Sequence, residues 1–115
     1  MKILIKNGLL VNENQIFESD ILVNGELIEK IDKKISSDYA DNIIDCEGSL
    51  ILPGIIDDQV HFRDPGYPNK ATIYSESRAA VAGGVTSYFE MPNTDPTTTT
   101  LDRLNQKFDI ASKSS

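Results

Sequence analysis

The sequence predicts an α/β protein in two parts: a short, strand-only N-terminal segment, residues 1–52, then parallel strand–helix units over residues 53–115. Three observations carry that prediction. Apolar residues alternate with polar ones through the first fifty positions, Pro53-Gly54 breaks the pattern, and strand-like and helix-like runs then take turns.

In the first part, Ile3, Ile5, Leu9, Val11, Ile16, Ile21, Val23, Leu27 and Ile31 alternate or nearly alternate with polar neighbours. Asn24-Gly25 lies between two such runs and predicts a two-residue hairpin turn. Ser36 to Asp41 is polar and turn-rich, and Ile43-Ile44-Asp45 and Leu50-Ile51-Leu52 add two short strands around Gly48. A small antiparallel sheet or half-sandwich is the expectation. Its ten acids against five bases fit a solvated outer face.

In the second part, Ile55-Ile56 leads into Asp57-Asp58-Gln59-Val60-His61-Phe62, apolar at its start and polar at its end, as in a buried parallel strand that ends in a site. Thr72 to Ala82 reads as a helix stopped by Gly83-Gly84, and Val85 to Phe89 resumes as a strand. Leu101, Leu104, Phe108 and Ala111 recur at near-helical spacing, with Thr99 or Thr100 as N-cap.

Composition narrows the function. Eleven basic against eighteen acidic residues give a formal net charge of -7, which opposes binding to nucleic acid. No apolar run reaches the roughly 18 residues needed to cross a bilayer, and the N-terminus lacks the pattern of a secretory signal. Cys46 is the single cysteine, so an internal disulfide and a Cys-based zinc cluster are both excluded. A cytoplasmic protein is expected.

The chemistry-bearing residues gather at predicted strand ends. His61, the only histidine, closes the first parallel strand, and simple alternation would put Asp57 and Gln59 on its face and Asp58 on the other. Arg63 follows in a loop rich in Pro and Gly. Its guanidinium suits a carboxylate or phosphate, against the plainer reading of a surface pair with Asp64. Asn93 follows the second strand; a ligand contact competes there with an Asx-turn before Pro96.

Pro53 to Gly66, Ser77-Arg78-Ala79-Ala80-Val81-Ala82-Gly83-Gly84-Val85-Thr86 and Met91-Pro92-Asn93-Thr94 together resemble the start of a dihydroorotase of the amidohydrolase superfamily. Hydantoinases and allantoinases are similar in the Pro-Gly strand and the Ala-Gly-Gly helix end but generally lack the arginine after His-Phe and the Met-Pro-Asn-Thr block. The resemblance implies a small β-sandwich part joined to the first two βα units of an incomplete (β/α)8 TIM-type barrel. It implies a zinc-dependent hydrolase of pyrimidine biosynthesis that interconverts dihydroorotate and N-carbamoyl-L-aspartate, its partner a small-molecule substrate. Arg63 and Asn93 would bind the substrate carboxylate and His61 would be a metal ligand.

Gln59 departs from the pattern. The family's His-x-His becomes Gln59-Val60-His61, and a carboxamide oxygen is a poorer zinc donor than imidazole, so weakened or altered metal binding is expected. A barrel of this kind takes about 250 residues. The chain is therefore expected to be an N-terminal fragment holding no catalytic residue of its own and inactive alone. Two alternatives stay open: an inactive, structural homologue, or a hydrolase of the hydantoinase or allantoinase type. Homo-oligomerisation of the full-length protein is compatible with the resemblance.

Overall fold

The computed structural model describes residues 1–114, which form two compact units, Met1–Pro53 and a second that begins at Gly54. The fold is α/β with strands in the majority.

The first unit is one five-stranded sheet. Strands β1 (Lys2–Asn12), β2 (Gln15–Asn24) and β3 (Leu27–Asp32) form an antiparallel meander. Glu13 and Asn14, both at positive φ, make the first hairpin turn between paired Asn12 and Gln15. The second turn falls one residue later than the Asn-Gly dipeptide suggests: Asn24 pairs with Leu27, so Gly25-Glu26 is the loop, with Gly25 at φ 59°.

The antiparallel expectation fails at β4 (Asn42–Asp45) and β5 (Leu50–Ile51), both of which run parallel to β1. The reason lies in residues 33–41, which cross from β3 to the far side of β1 through a short 3-10 turn, Ser37–Tyr39. Ile35, in that crossover, is buried with Leu4 and Leu22. Asp20, also buried, accepts hydrogen bonds from the backbone N–H groups of Asn7 (3.1 Å) and Ile35 (2.9 Å). One carboxylate thus satisfies an amide at the β1 irregularity and another in the crossover.

The second unit is a parallel crossover. β6 (Ile55–Val60) and β7 (Val85–Glu90) pair directly and are joined by α1 (Ile73–Ala82); α2 (Leu101–Ser114) follows. Thr72 and Ser75 form a reciprocal capping box at the start of α1, and Gly84 takes the left-handed conformation (φ 86°) past its end. At α2 the cap is Thr100, whose hydroxyl accepts from Arg103 N at 3.4 Å.

Val60, Phe62 and Ile73 form the core of this unit, with Ala80, Tyr88, Ile110 and Ala111 packed against them. The inward face of α2 is rotated from the expected stripe. Leu101 and Phe108 are 71% and 65% exposed, whereas Lys107 is buried. Its ammonium group turns inward because a carboxylate waits there, as described below.

Candidate functional site

Both parallel strands end at the same edge, and the residues singled out by sequence follow directly: His61 after β6, and Asn93 after β7. The structure brings these two into contact. His61 Nδ1 lies 2.9 Å from Asn93 Oδ1. A carboxamide oxygen only accepts, so Nδ1 is the donor in this contact. Asn93 therefore does not form the Asx-turn. Its loop is held by neighbours instead: Thr94 N and Thr98 N both donate to Pro92 O at 2.9 Å, and the hydroxyl of buried Thr94 bonds Pro96 O and Thr98 Oγ1 at 3.0 Å.

Arg63 is half-buried and sits at φ 66°, a left-handed conformation that costs a non-glycine residue of order 1–3 kcal/mol. The plainer pairing with Asp64 is absent. Asp64 Oδ2 accepts from Ile73 N at 3.2 Å, at the head of α1, and the Arg63 guanidinium has no hydrogen bond or ion pair among the described residues. The loops beyond the two strands are joined by Asp95 N donating to Pro65 O at 3.0 Å. Gly66, at φ 107°, lies so close to the Asp95 backbone that a Cβ there would collide with it.

Gln59 is exposed, and the strand around it is irregular. Asp57 pairs with Tyr88 and Val60 with Glu90, so three steps on β6 match two on β7. Strict alternation is therefore lost. Tyr88 and Val60 belong to the helix-facing core, which puts Asp57 on that side, away from His61. Asp57 Oδ1 accepts from Gln59 N at 3.0 Å. Among the described residues no three His, Cys, Asp or Glu side chains converge as a metal site.

Sequence reasoning missed the pair behind the strand ends. Glu90 and Lys107 form an ion pair with side chains 9% and 8% exposed. Glu90 Oε1 accepts from Phe62 N at 3.0 Å, and Lys107 Nζ donates to Met91 O at 3.0 Å. The available signal was a lysine one residue from Phe108 on the apolar side of a helix. Tyr88, packed at a tilt against Phe62 with 4.5 Å between ring centroids, has its phenol pushed above the ordinary value by burial and then by the charge of Glu90. A cavity of about 500 Å³ lies between β7 and α2; Glu90 and Lys107 line it, whereas His61, Arg63 and Asn93 do not.

Parallel strands joined by a helix, with polar side chains past their C-terminal ends, define an α/β crossover unit. The chain superposes on the L-hydantoinase (dihydropyrimidinase) of Arthrobacter aurescens with a TM-score of 0.89 and 36% identity, covering 95% of this chain and 24% of that one. For the D-hydantoinase (dihydropyrimidinase) of Thermus sp. the TM-score is 0.76 and the identity 31%, over 95% and 24%. The family model described as dihydro-orotase-like matches residues 48–111, and the chain belongs to that family. The dihydroorotase of Aquifex aeolicus is 46% identical over 112 residues, 93% of this chain and 26% of that protein. The dihydroorotase of Carboxydothermus hydrogenoformans is 46% identical over 98 residues, 84% and 23% respectively. The chain thus spans about a quarter of the length of these curated relatives. No helix among the described residues is long and apolar enough to cross a membrane.

Proposed function

We propose that this chain supplies the anion-gripping corner of a cytoplasmic dihydroorotase-type hydrolase, which opens the cyclic amide of dihydroorotate to N-carbamoyl-L-aspartate in pyrimidine biosynthesis. In this reading the sheet of residues 1–52 is one layer of a small β-sandwich, and residues 53–115 are the first two units of a (β/α)8 barrel. One observation carries the reading: His61 and Asn93 meet at 2.9 Å while the Arg63 guanidinium, on the same loop as His61, has no protein partner among the described residues.

The division of labour follows from the donors. Asn93 commits its oxygen to His61, which leaves its amide N–H groups to donate to a substrate carboxylate. Arg63 adds a planar fork of donors to the same anion. The Asn93 bond occupies Nδ1 and so leaves Nε2 as the ring nitrogen for a ligand, the arrangement seen where a second group orients a ligating histidine.

A zinc centre, which in such hydrolases supplies Lewis acidity, needs three or four donors. Here one imidazole nitrogen and the Gln59 carboxamide are on offer, and Asp57 is turned away. That set does not by itself make a metal centre. His61 is the first candidate ligand and Gln59 a weak one, and no chemical step is assigned through the metal.

The test is a chimera in which this chain replaces the corresponding quarter of the Aquifex aeolicus dihydroorotase. Dihydroorotate hydrolysis is expected, and Gln59→His is expected to raise both bound metal and turnover. Absence of metal and turnover in both forms would leave the inactive, structural reading. The hydantoinase reading is favoured by the A. aurescens superposition. Arg63→Ala decides between the two: selective loss of turnover on carboxylate-bearing rings supports dihydroorotase, and equal loss on unsubstituted hydantoins supports the other.

A further inference from the structure

Glu90 is the last residue of β7 and Lys107 stands on α2, and their ion pair is almost wholly withdrawn from water. Desolvating two charges costs several kcal/mol each, and a well-packed apolar pair often serves stability as well or better. Stability alone therefore gives little reason for charge at this place.

The backbone contacts give a better one. Phe62 lies two residues past the end of β6, and its N–H is taken by Glu90 Oε1 at 3.0 Å. Met91 is the first residue past β7, and its carbonyl accepts from Lys107 Nζ at 3.0 Å. Each bond is charge-assisted. Phe62 separates His61 from Arg63, and Met91 lies two residues ahead of Asn93. Met91 N also donates to Val60 O at 2.9 Å, directly between the strands. An apolar pair could fill the same space, but it would release the Phe62 amide and the Met91 carbonyl.

We infer that Glu90 and Lys107 are positioning residues: their buried pair clamps, from behind, the two backbone segments that carry His61, Arg63 and Asn93, and so sets the contact between imidazole and carboxamide. This rests on the reading of those three residues as the anion-binding corner. The clamp gives α2, which holds none of the three, a direct part in the geometry of the site.

The experiment uses the chain itself, labelled with ¹⁵N. The His61 ring shifts report whether Nδ1 holds the proton, and amide exchange at Phe62 and Asp95 is compared with that at Val81 in α1, which serves as the reference for unfolding of the unit. Two variants are made. Lys107→Met leaves Glu90 without a counter-charge, and the double variant Glu90→Leu with Lys107→Met is the apolar replacement of the pair, so it keeps the protein folded if the single variant does not fold. In the double variant, which removes the carboxylate that accepts from the Phe62 amide, exchange at Phe62 is expected to accelerate by about tenfold or more relative to Val81, in line with the net strength of a hydrogen bond to a charged group. In both variants the His61 ring signals are expected to shift away from the Nδ1–H pattern, and the Asp95 amide, which donates to Pro65 O across the two loops, to lose protection. Unchanged His61 ring signals and unchanged Asp95 protection in the folded double variant would overturn the inference, whatever happens to the melting temperature. The chimera assay answers separately: turnover there with an unmoved His61 defeats only the clamp, and a responsive His61 with no turnover defeats only the assigned reaction.

Discussion

At the scale of single residues, the site trades backbone comfort for exposed donors. Arg63 holds φ 66° with its guanidinium unpaired among the described residues, so Arg63→Gly is expected to stabilise the chain by roughly 1 kcal/mol in urea denaturation. Tyr88 gives a pH-dependent prediction. Its phenol is raised by burial and by the charge of Glu90, so the stability it contributes is complete below the ordinary value of 10.0 and is lost as pH climbs through the higher folded value. Stability is expected to fall as pH rises above 10.0, and Tyr88→Phe to remove that component of the fall. His61, Arg63 and Asn93 were legible because strand ends and residue chemistry point to them without any knowledge of distance. The Asp57 side was not legible, because a bulge reverses alternation through a local register shift that composition does not encode. Glu90 and Lys107 were hidden for another reason: each looks like an ordinary surface charge until the two are brought together across 17 positions of chain.

At the scale of elements, the punctuation of the sequence was the readable part. Thr72, Gly83-Gly84 and Thr100 mark helix ends through their own side chains or their lack of one, which is local physics. Thr72→Ala is accordingly expected to cost about 1 kcal/mol, measured as a lower denaturant midpoint with an unchanged slope, since Ser75 N would lose its acceptor at 3.1 Å. Strand direction was less readable. β4 and β5 look like further members of a meander, and only the crossover through buried Ile35 makes them parallel to β1. The rotation of α2 has the same origin: spacing alone favours Leu101, Leu104, Phe108 and Ala111, and tertiary pairing of Lys107 with Glu90 decides otherwise.

At the scale of the whole molecule, apolar surface is abundant. In the second unit alone, Ile56, Phe89, Leu101 and Phe108 are between 63% and 71% exposed. Concentration-dependent self-association is expected in sedimentation velocity, strengthened by salt as the net charge of -7 is screened, and weakened by Phe89→Lys. The amide of Asp95 bonded to Pro65, with Gly66 pressed against the backbone beside it, carries a lesson for anyone who would remodel the loops beyond the two strands. The two loops are stitched edge to edge and leave no room for a side chain at the seam. A graft taken from a relative must therefore bring both loops at once; a single transplanted loop would meet its neighbour as an obstacle.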